Sequence, residues 1–104
     1  KVWKDVNAQQ LAAALVCIDS QKNMQNFLRD VMTEKEIIEI GARLEAARML
    51  KNGDRYTDIT ARTKLSSRTV ARISDWLQNG TNGYDTALNA IPTHNDHTLP
   101  VNAD

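Results

Sequence analysis

The sequence predicts an all-α domain, and three observations support this class. Apolar residues recur at helical spacing from about residue 7 to residue 90. The two prolines, Pro92 and Pro100, lie near the C-terminus, and Gly41 is the one glycine before position 53. Few residues that interrupt helices therefore occur in the first 90 positions. No run alternates β-branched and polar residues as a strand would. We therefore predict one helical domain over residues 1–90 and a polar, disordered tail over residues 91–104.

Two helices are predicted at the start of the chain, over residues 7–19 and 21–31. Their apolar side chains span a wider arc than one chain of this size easily buries. This excess favours a homodimer, although an ordinary monomeric core stays open as the alternative. The apolar residues are Leu11, Leu15, Val16, Ile18, Met24, Phe27, Leu28, Val31 and Met32.

The third helix has the clearest predicted boundaries. The stretch TEKE, residues 33–36, fits a capping box. In this motif the Thr33 hydroxyl accepts from the backbone N–H of Glu36, and the Glu36 carboxylate reaches back to the backbone of Thr33. At the other end, Asn52-Gly53 predicts termination, because glycine adopts the left-handed cap conformation without strain.

Two shorter helices follow, over residues 57–63 and 67–79, and about three residues separate them. This is the layout of a helix-turn-helix motif. Two short helices pack against each other through apolar side chains at a few fixed positions. These positions are occupied by Ile59, Leu65, Val70 and Ile73.

Two residues depart from the commonest form of this motif. Thr60 stands where an alanine is common, and Lys64 stands in the turn where a glycine is common. We expect Lys64 to need an unfavourable backbone conformation, at a cost of about 1 kcal/mol. One last short helix is predicted over residues 84–90.

The outward face of the helix over residues 67–79 has the features of a DNA-reading surface. Residues 55–72 carry five basic residues and one acidic residue, a local charge of +4 on a chain with no formal net charge. A cap at Ser66 or Ser67 leaves the positive helix end facing outward, which favours a phosphate. Arginine suits guanine in the major groove, and small residues allow close approach. The predicted DNA-binding residues are Arg62, Lys64, Ser66, Ser67, Arg68, Thr69, Ala71 and Arg72.

These residues divide into two roles. Base edges or nearby phosphates would be met by Ser67, Arg68, Thr69, Ala71 and Arg72, and Ser66 would lie on the DNA backbone. Arg62 and Lys64, together with Arg55, are expected near phosphates, where they add salt-dependent affinity. The simpler alternative is that Arg68 and Arg72 are solvated surface residues, with Arg72 paired to an aspartate three residues later.

Three stretches of the chain resemble the tryptophan-repressor superfamily, and within it the YerC/YecD-type branch. They are MTEKEIIEIGARLEAARMLKNG, YTDITARTKLSSRTVARI and WLQNGTNGYDTALN, and the resemblance covers about residues 24–89. It implies an all-α fold with a helix-turn-helix. It also implies an intertwined homodimer in which the N-terminal helices of two subunits interlock. A two-fold dimer of this kind would address half-sites about 34 Å apart in a pseudo-palindromic operator.

The resemblance further implies a tryptophan pocket built from Thr33, Arg43 and Arg72, whose guanidinium groups would pair with an amino-acid carboxylate. The family's repressor has a glycine after the second arginine, which leaves room for the indole ring. Ile73 stands there in this chain, and we expect its side chain to fill the space. Thr33 is also explained as a helix cap. We therefore expect no tryptophan co-repressor and no other cofactor.

The remaining reactive residues favour neither an enzyme nor a metal site. Cys17 is the one cysteine, so no intramolecular disulfide can form, and a reducing, cytoplasmic compartment fits. Within the apolar run LAAALVCI we expect its thiol to be buried. His94 and His97 lie in the predicted tail, which lacks the ordered frame of about four ligands of a closed zinc site. No stretch reaches the roughly 18 apolar residues of a membrane span.

Taken together, these patterns predict a homodimeric transcriptional regulator, a repressor, that binds double-stranded DNA. The helix over residues 67–79 would enter the major groove, and the protein would join the bacterial nucleoid when bound. Two alternatives stay open. One is a protein-interaction module of the same fold, whose arginines bind an acidic partner. The other is a repressor gated by an amino acid such as tryptophan.

Overall fold

The computed structural model describes residues 1–91, and this part of the chain contains helices and no β-strand. The prediction of an all-α protein is confirmed. A 3-10 turn at Val2–Lys4, which the sequence pattern did not predict, comes first. The predicted tail beyond Ile91 lies outside the described residues. The helices are α1 (Val6–Cys17), α2 (Gln21–Val31), α3 (Glu34–Lys51), α4 (Tyr56–Thr63), α5 (Ser67–Asn79) and α6 (Gly83–Ala90).

Local caps set the helix boundaries, which lie within two residues of the predicted ones. The bounds of α2 and α5 agree with the prediction. The Asp5 carboxylate caps α1 by accepting a backbone N–H of its first turn at 2.8 Å, so this helix begins at Val6. It ends at Cys17 because Ile18 is extended, and Ser20 then caps α2 with an acceptor distance of 3.1 Å.

The chain divides into two compact units, Lys1–Ile38 and a second unit that begins at Glu39. The first unit contains the 3-10 turn, α1, α2 and the start of α3. None of its residues is fully buried, and Val16 is 84% exposed. Cys17 is exposed as well, so the expected burial of its thiol is wrong for this chain. Two helices of 12 and 11 residues supply too few side chains to enclose any one residue.

The second unit contains a small hydrophobic core formed by α3, α4 and α5. Its fully enclosed large side chains are Ile59, Val70 and Ile73, each with 0% exposure. Burying a side chain of this kind contributes roughly 1.5–3 kcal/mol. The core is completed by Ala46, Ala47 and Met49, with Leu50, Leu65, Leu77, Tyr84 and Leu88 packed against it.

Both ends of α3 have the predicted local chemistry. The Thr33 hydroxyl accepts from the Glu36 N–H at 3.1 Å, and the Glu36 carboxylate accepts from the Thr33 N–H at 2.9 Å. Gly53 has a φ of 85°. Its N–H donates to the Leu50 carbonyl, and the next N–H donates to the Met49 carbonyl, both at 3.0 Å. These paired bonds form a Schellman motif, so the capping box and the glycine stop are both confirmed.

Helix α6 is held against the core of the second unit by packing and by an ion pair. Tyr84 and Leu88 lie against the core. The Lys51 ammonium at the end of α3 lies 2.5 Å from the Asp85 carboxylate. The residue before α6, Asn82, has a φ of 67°, one of two non-glycine residues with positive φ among residues 1–91.

Candidate nucleic-acid interface

The helix-turn-helix is formed by α4, a tight turn and α5, as the spacing predicts. α4 contacts α5 directly, and Ile59 of α4 is enclosed together with Val70 and Ile73 of α5. Leu65 in the turn packs against the same core. The apolar positions chosen from the sequence are therefore the ones that join the two helices.

Lys64 ends α4 in the left-handed conformation, with φ 65° and ψ 10°. Its N–H donates to the Thr60 carbonyl at 2.9 Å, which closes the last turn of α4. The Thr63 hydroxyl donates to the Ile59 carbonyl at 2.7 Å and accepts from the Leu65 N–H at 3.3 Å. The Thr63 hydroxyl thus forms hydrogen bonds to the residues on both sides of Lys64. The turn holds Lys64 in a conformation that L-residues otherwise avoid.

Ser66, and not Ser67, is the N-cap of α5. Its hydroxyl oxygen accepts from the Thr69 N–H at 3.1 Å and donates to the Thr69 hydroxyl at the same distance. Thr69 is half-buried, and its hydroxyl is engaged in this bond. Ser67 is the first helical residue and is exposed. At this exposed helix end, the first backbone N–H groups and the Ser67 hydroxyl therefore have no hydrogen-bond partner among residues 1–91.

The exposed side of α5 presents Arg68, Ala71 and Arg72, while Val70 and Ile73 between them are fully buried. Within residues 1–91, neither arginine lies within 4.0 Å of a carboxylate. The alternative pairing of Arg72 with Asp75 does not form among these residues, and Asp75 instead accepts from the Asn79 amide at 2.9 Å. This part of the surface therefore carries two uncompensated cations one helical turn apart, beside the positive end of the helix.

Arg62 differs from these arginines because an acidic residue holds it. Its Nε donates to the Glu45 carboxylate at 3.1 Å, across from α4 to α3. Glu45 also accepts two bonds from Arg48, at 2.9 and 2.6 Å. The hydrogen bond from Arg48 holds the pKa of Glu45 below its usual value, Arg62 adds to that lowering, and partial burial opposes it. Sequence spacing reveals the Glu45–Arg48 pair on one helix, but the link to Arg62 depends on how the helices pack.

Lys64 is exposed and has no ion-pair partner among residues 1–91. Arg55, which was expected near a phosphate, instead lies 3.3 Å from the Asp58 carboxylate and stays exposed. The predicted phosphate-contacting cations thus fall into two groups. Lys64 is free in this part of the chain, whereas Arg55 and Arg62 carry acidic neighbours.

The three residues of the implied tryptophan pocket have separate surroundings. The Thr33 hydroxyl is occupied as the cap of α3 and belongs to the first unit. Arg43 pairs with Glu39 at 2.9 Å. Arg72 is exposed on α5 and does not line the groove that Arg43 borders. Ile73, expected to fill the indole space, is fully buried in the core of the second unit.

The groove beside Arg43 was not anticipated from the sequence. It lies in the second unit, has a volume of about 890 Å³ and is lined mainly by apolar side chains. The sequence feature that could have indicated this groove is the pair of aromatic residues Trp76 and Tyr84, because both lie at the edge of the apolar stripes of their helices. The side chains that form its apolar lining are Ile40, Leu44, Trp76, Tyr84 and Ala87.

Residues 1–91 contain neither a metal-binding cluster nor a membrane-spanning helix. No group of three histidine, cysteine, aspartate or glutamate side chains is placed to hold a metal ion there. His94 and His97 lie outside the described residues. Within the same range, no helix combines the length and the apolar character needed to cross a membrane.

Comparison with known proteins identifies chains that are similar to this one. A family model described as Trp repressor protein matches residues 6–91. The uncharacterised protein YerC of Bacillus subtilis (strain 168) is 32% identical over 82 residues, which is 79% of each chain.

Two solved structures have a similar fold. A TrpR-like protein from Eubacterium eligens ATCC 27750 has a TM-score of 0.78 and 31% identity, over 83% of this chain and 89% of its own. A candidate Trp repressor from Staphylococcus aureus has a TM-score of 0.76 and 27% identity, over 82% and 85%. These likenesses confirm the resemblance that the sequence motifs indicate.

Proposed function

The chain belongs to the Trp repressor family, and from this membership we propose that it is a sequence-specific regulator of transcription, a repressor, that binds double-stranded DNA. The family and the fold are those of a regulatory DNA-binding protein and not of an enzyme. One observation carries the proposal to this chain. Arg68 and Arg72 stand exposed and without acidic partners in residues 1–91, at the N-terminal end of the second helix of a helix-turn-helix.

In the proposed complex, α5 enters the major groove with its N-terminus leading. Arg68 and Arg72 present paired donors to guanine, and Ala71 allows the helix to approach the bases. The exposed Ser67 hydroxyl lies at the same end of the helix, next to its free backbone N–H groups. Thr69 contributes mainly by orienting Ser66, because its hydroxyl is bonded to that residue.

The phosphate contacts of the proposal come from the turn and from α4. Lys64 is exposed beside the N-terminus of α5, and the cap residue Ser66 is exposed with it. Arg62 retains the terminal nitrogens of its guanidinium while its Nε donates to Glu45. A guanidinium held from one side costs less conformational entropy when it meets a phosphate.

We also propose that the regulator is a homodimer that reads a pseudo-palindromic operator. The support is the first unit, where large apolar side chains are left in water by a single chain: Val6 is 72%, Leu11 48%, Val16 84% and Val31 57% exposed. Apolar surface of this extent is typical of an interface. A second copy supplies a matching surface by two-fold symmetry, and half-sites would then lie about 34 Å apart.

We also propose that the protein acts in the cytoplasm. Tryptophan is not part of the proposed mechanism. Two observations support regulation without tryptophan. The Thr33 hydroxyl already serves as a helix cap, and Ile73, which follows Arg72, is a fully buried core residue.

A DNA selection tests the proposed function. The purified full chain is mixed with a library of random duplexes at low and at physiological salt, and the bound fraction is sequenced. We expect enrichment of a sequence with two-fold symmetry, with affinity that falls as salt rises, because cations on the protein displace counterions from phosphates. The selection is repeated with each amino acid present, and we expect the same enriched sequence and affinity.

The other outcomes identify the alternatives. If no sequence is enriched even at low salt, DNA reading is rejected, and an acidic protein partner becomes the better account of Arg68 and Arg72. If enrichment requires one amino acid, the unliganded mechanism is rejected in favour of a gated repressor.

A further inference from the structure

The sequence contains three Asn-Gly pairs, at 52–53, 79–80 and 82–83. In such a pair the glycine nitrogen can attack the neighbouring side-chain amide, because glycine offers little steric hindrance and wide backbone freedom. The reaction needs a free glycine N–H and an amide that is not held by other groups. The structure treats the three pairs very differently in both respects.

The first two pairs are protected by hydrogen bonds. The Gly53 N–H donates to the Leu50 carbonyl at 3.0 Å, and the Asn52 amide donates to Asp54 at 2.9 Å. The Gly80 N–H donates to the Trp76 carbonyl at 2.9 Å. The Asn79 amide donates to Asp75, also at 2.9 Å. In both pairs, the nucleophile and the group that it would attack are held in place.

The third pair has neither restraint among residues 1–91. Gly83 is the first residue of α6, so its N–H is one of the donors that a helix leaves without an internal partner. The Asn82 side chain makes no cap hydrogen bond and both residues are exposed. Asn82 also has a φ of 67°, a left-handed conformation that costs an L-residue free energy.

We propose that Asn82 is a site of spontaneous, selective deamidation in the folded protein. The deprotonated nitrogen of Gly83 bonds to Cγ of Asn82, and the bond from Cγ to the amide nitrogen breaks. That nitrogen takes up a proton from water, which balances the proton that hydroxide removes from the Gly83 nitrogen, and leaves as ammonia. A five-membered succinimide remains. Water then opens the ring at either carbonyl, which gives aspartate or isoaspartate. The net change is gain of one water and loss of one ammonia, with no oxidant or reductant.

Ring closure requires rotation about the Asn82 ψ angle, which is 17° in the folded chain. The rotation gives up the bonds by which the Asn82 carbonyl accepts from the N–H and the hydroxyl of Thr86, both at 3.0 Å. These bonds lie in the first turn of an eight-residue helix, the part of a structure that opens most easily. The other two pairs lie at the ends of the longer helices α3 and α5.

The product changes the start of α6. Aspartate adds a negative charge at the helix N-terminus, which is favourable there, whereas isoaspartate adds a methylene to the backbone and displaces the first turn. Tyr84 and Leu88 of this helix pack against the core, so the isoaspartate form is expected to lose part of that packing.

Peptide mass mapping tests the proposal on the folded full chain, incubated at mildly alkaline pH and sampled over time. The replacement of an amide by an acid gives a defined mass gain at each asparagine. We expect Asn82 to react on the order of tenfold faster than Asn52 or Asn79, since about two hydrogen bonds protect each of those. Equal rates at the three sites, or a faster rate at Asn52 or Asn79, would overturn the proposal.

Two controls separate the fold from the local sequence. The first is Gly83→Ala, which the structure accommodates because the nearest heavy atom to an added Cβ is the Thr81 hydroxyl at 3.9 Å. Its Cβ shields the nitrogen, so the reaction at Asn82 should slow markedly. An unchanged rate contradicts attack by the Gly83 nitrogen. The same substitution at Gly80 would place a Cβ 2.6 Å from the Trp76 carbonyl oxygen, so it is not a usable control.

The second control is the same incubation in denaturant. Unfolding removes the protecting hydrogen bonds, so the three rates should converge. If Asn82 keeps the same advantage in the unfolded chain, the local sequence and not the fold selects it, and the proposal fails.

Discussion

Arg68 and Arg72 are the residues on which base reading depends in the proposed complex with DNA. Both are exposed on α5, and neither meets a carboxylate in residues 1–91. In water a free guanidinium of this kind adds little to folding stability, so removing it isolates its role in binding.

We therefore predict that Arg72→Ala or Arg68→Ala weakens operator binding by roughly 1–3 kcal/mol and relaxes preference at one base pair. The measurement is a titration of each variant against the selected operator and its single-base variants. Lys22→Ala is the matched control, because it removes one exposed cation from α2 in the other unit. A uniform loss on all DNA sequences would instead indicate a phosphate contact.

Lys64 combines two effects that substitutions can separate. Its φ of 65° strains the backbone, and its ammonium is available to a phosphate. Lys64→Gly removes the strain and the charge, whereas Lys64→Ala removes the charge alone.

We predict that Lys64→Gly unfolds at higher denaturant than Lys64→Ala, by about 1 kcal/mol in free energy. Both variants should bind DNA more weakly, with a salt slope reduced by about 1. A glycine variant no more stable than the alanine variant would show that the turn stores no strain. An unchanged salt slope would remove Lys64 from the phosphate contacts.

At the scale of single elements, α5 depends on its N-terminal cap. The Ser66 hydroxyl accepts from the Thr69 N–H, whereas the hydroxyl of the neighbouring Ser67 makes no hydrogen bond within residues 1–91. The two serines are adjacent and chemically identical, so they form a matched pair.

We predict that Ser66→Ala lowers the free energy of unfolding by about 1 kcal/mol. Ser67→Ala should change it by less than about 0.5 kcal/mol, because an exposed hydroxyl without a partner contributes little. Chemical denaturation of both variants gives the comparison. Equal effects at the two positions would contradict the cap assignment.

The link between α3 and α4 is also a property of elements. Glu45 joins Arg48 on its own helix to Arg62 on α4, and its lowered pKa records the attraction. An acidic group with a lowered pKa stabilises the fold above its unfolded pKa, and this contribution is lost as pH falls through the folded value. The ion pairs of Glu45 with Arg48 and Arg62 therefore add to the contact between α3 and α4 at neutral pH, and they weaken in acid.

At the scale of the whole molecule, the main feature is the set of apolar side chains of the first unit that a single chain leaves exposed to water. Val16 is 84% exposed, so a charge placed there costs an isolated chain almost nothing. In the proposed homodimer the same side chain is a candidate for burial by the second copy.

We predict that the wild-type chain is a dimer in sedimentation equilibrium and that Val16→Asp weakens association by at least about tenfold, since burial of a valine contributes roughly 1.5 kcal/mol or more. Ala61→Asp, at an exposed position of α4, is the matched control and should leave association unchanged. A monomeric wild-type chain, or equal behaviour of both variants, would contradict the proposed interface.

Much of the fold and part of the candidate site were predictable from the sequence because they depend on residues three or four positions apart. The capping box at Thr33, the glycine stop at Gly53 and the stripe of Val70 and Ile73 are of this kind. The same short-range geometry turned Arg68 and Arg72 outward, and it placed a left-handed residue at Lys64. A helix repeats every few residues, so its local sequence determines which face is apolar.

Tertiary structure decided whatever depends on which side chains meet across the chain. It exposed Cys17 where the apolar run predicted burial, and it tied Arg62 to Glu45, 17 residues away. These outcomes follow from the packing and hydrogen bonding of the folded elements, which local periodicity does not encode.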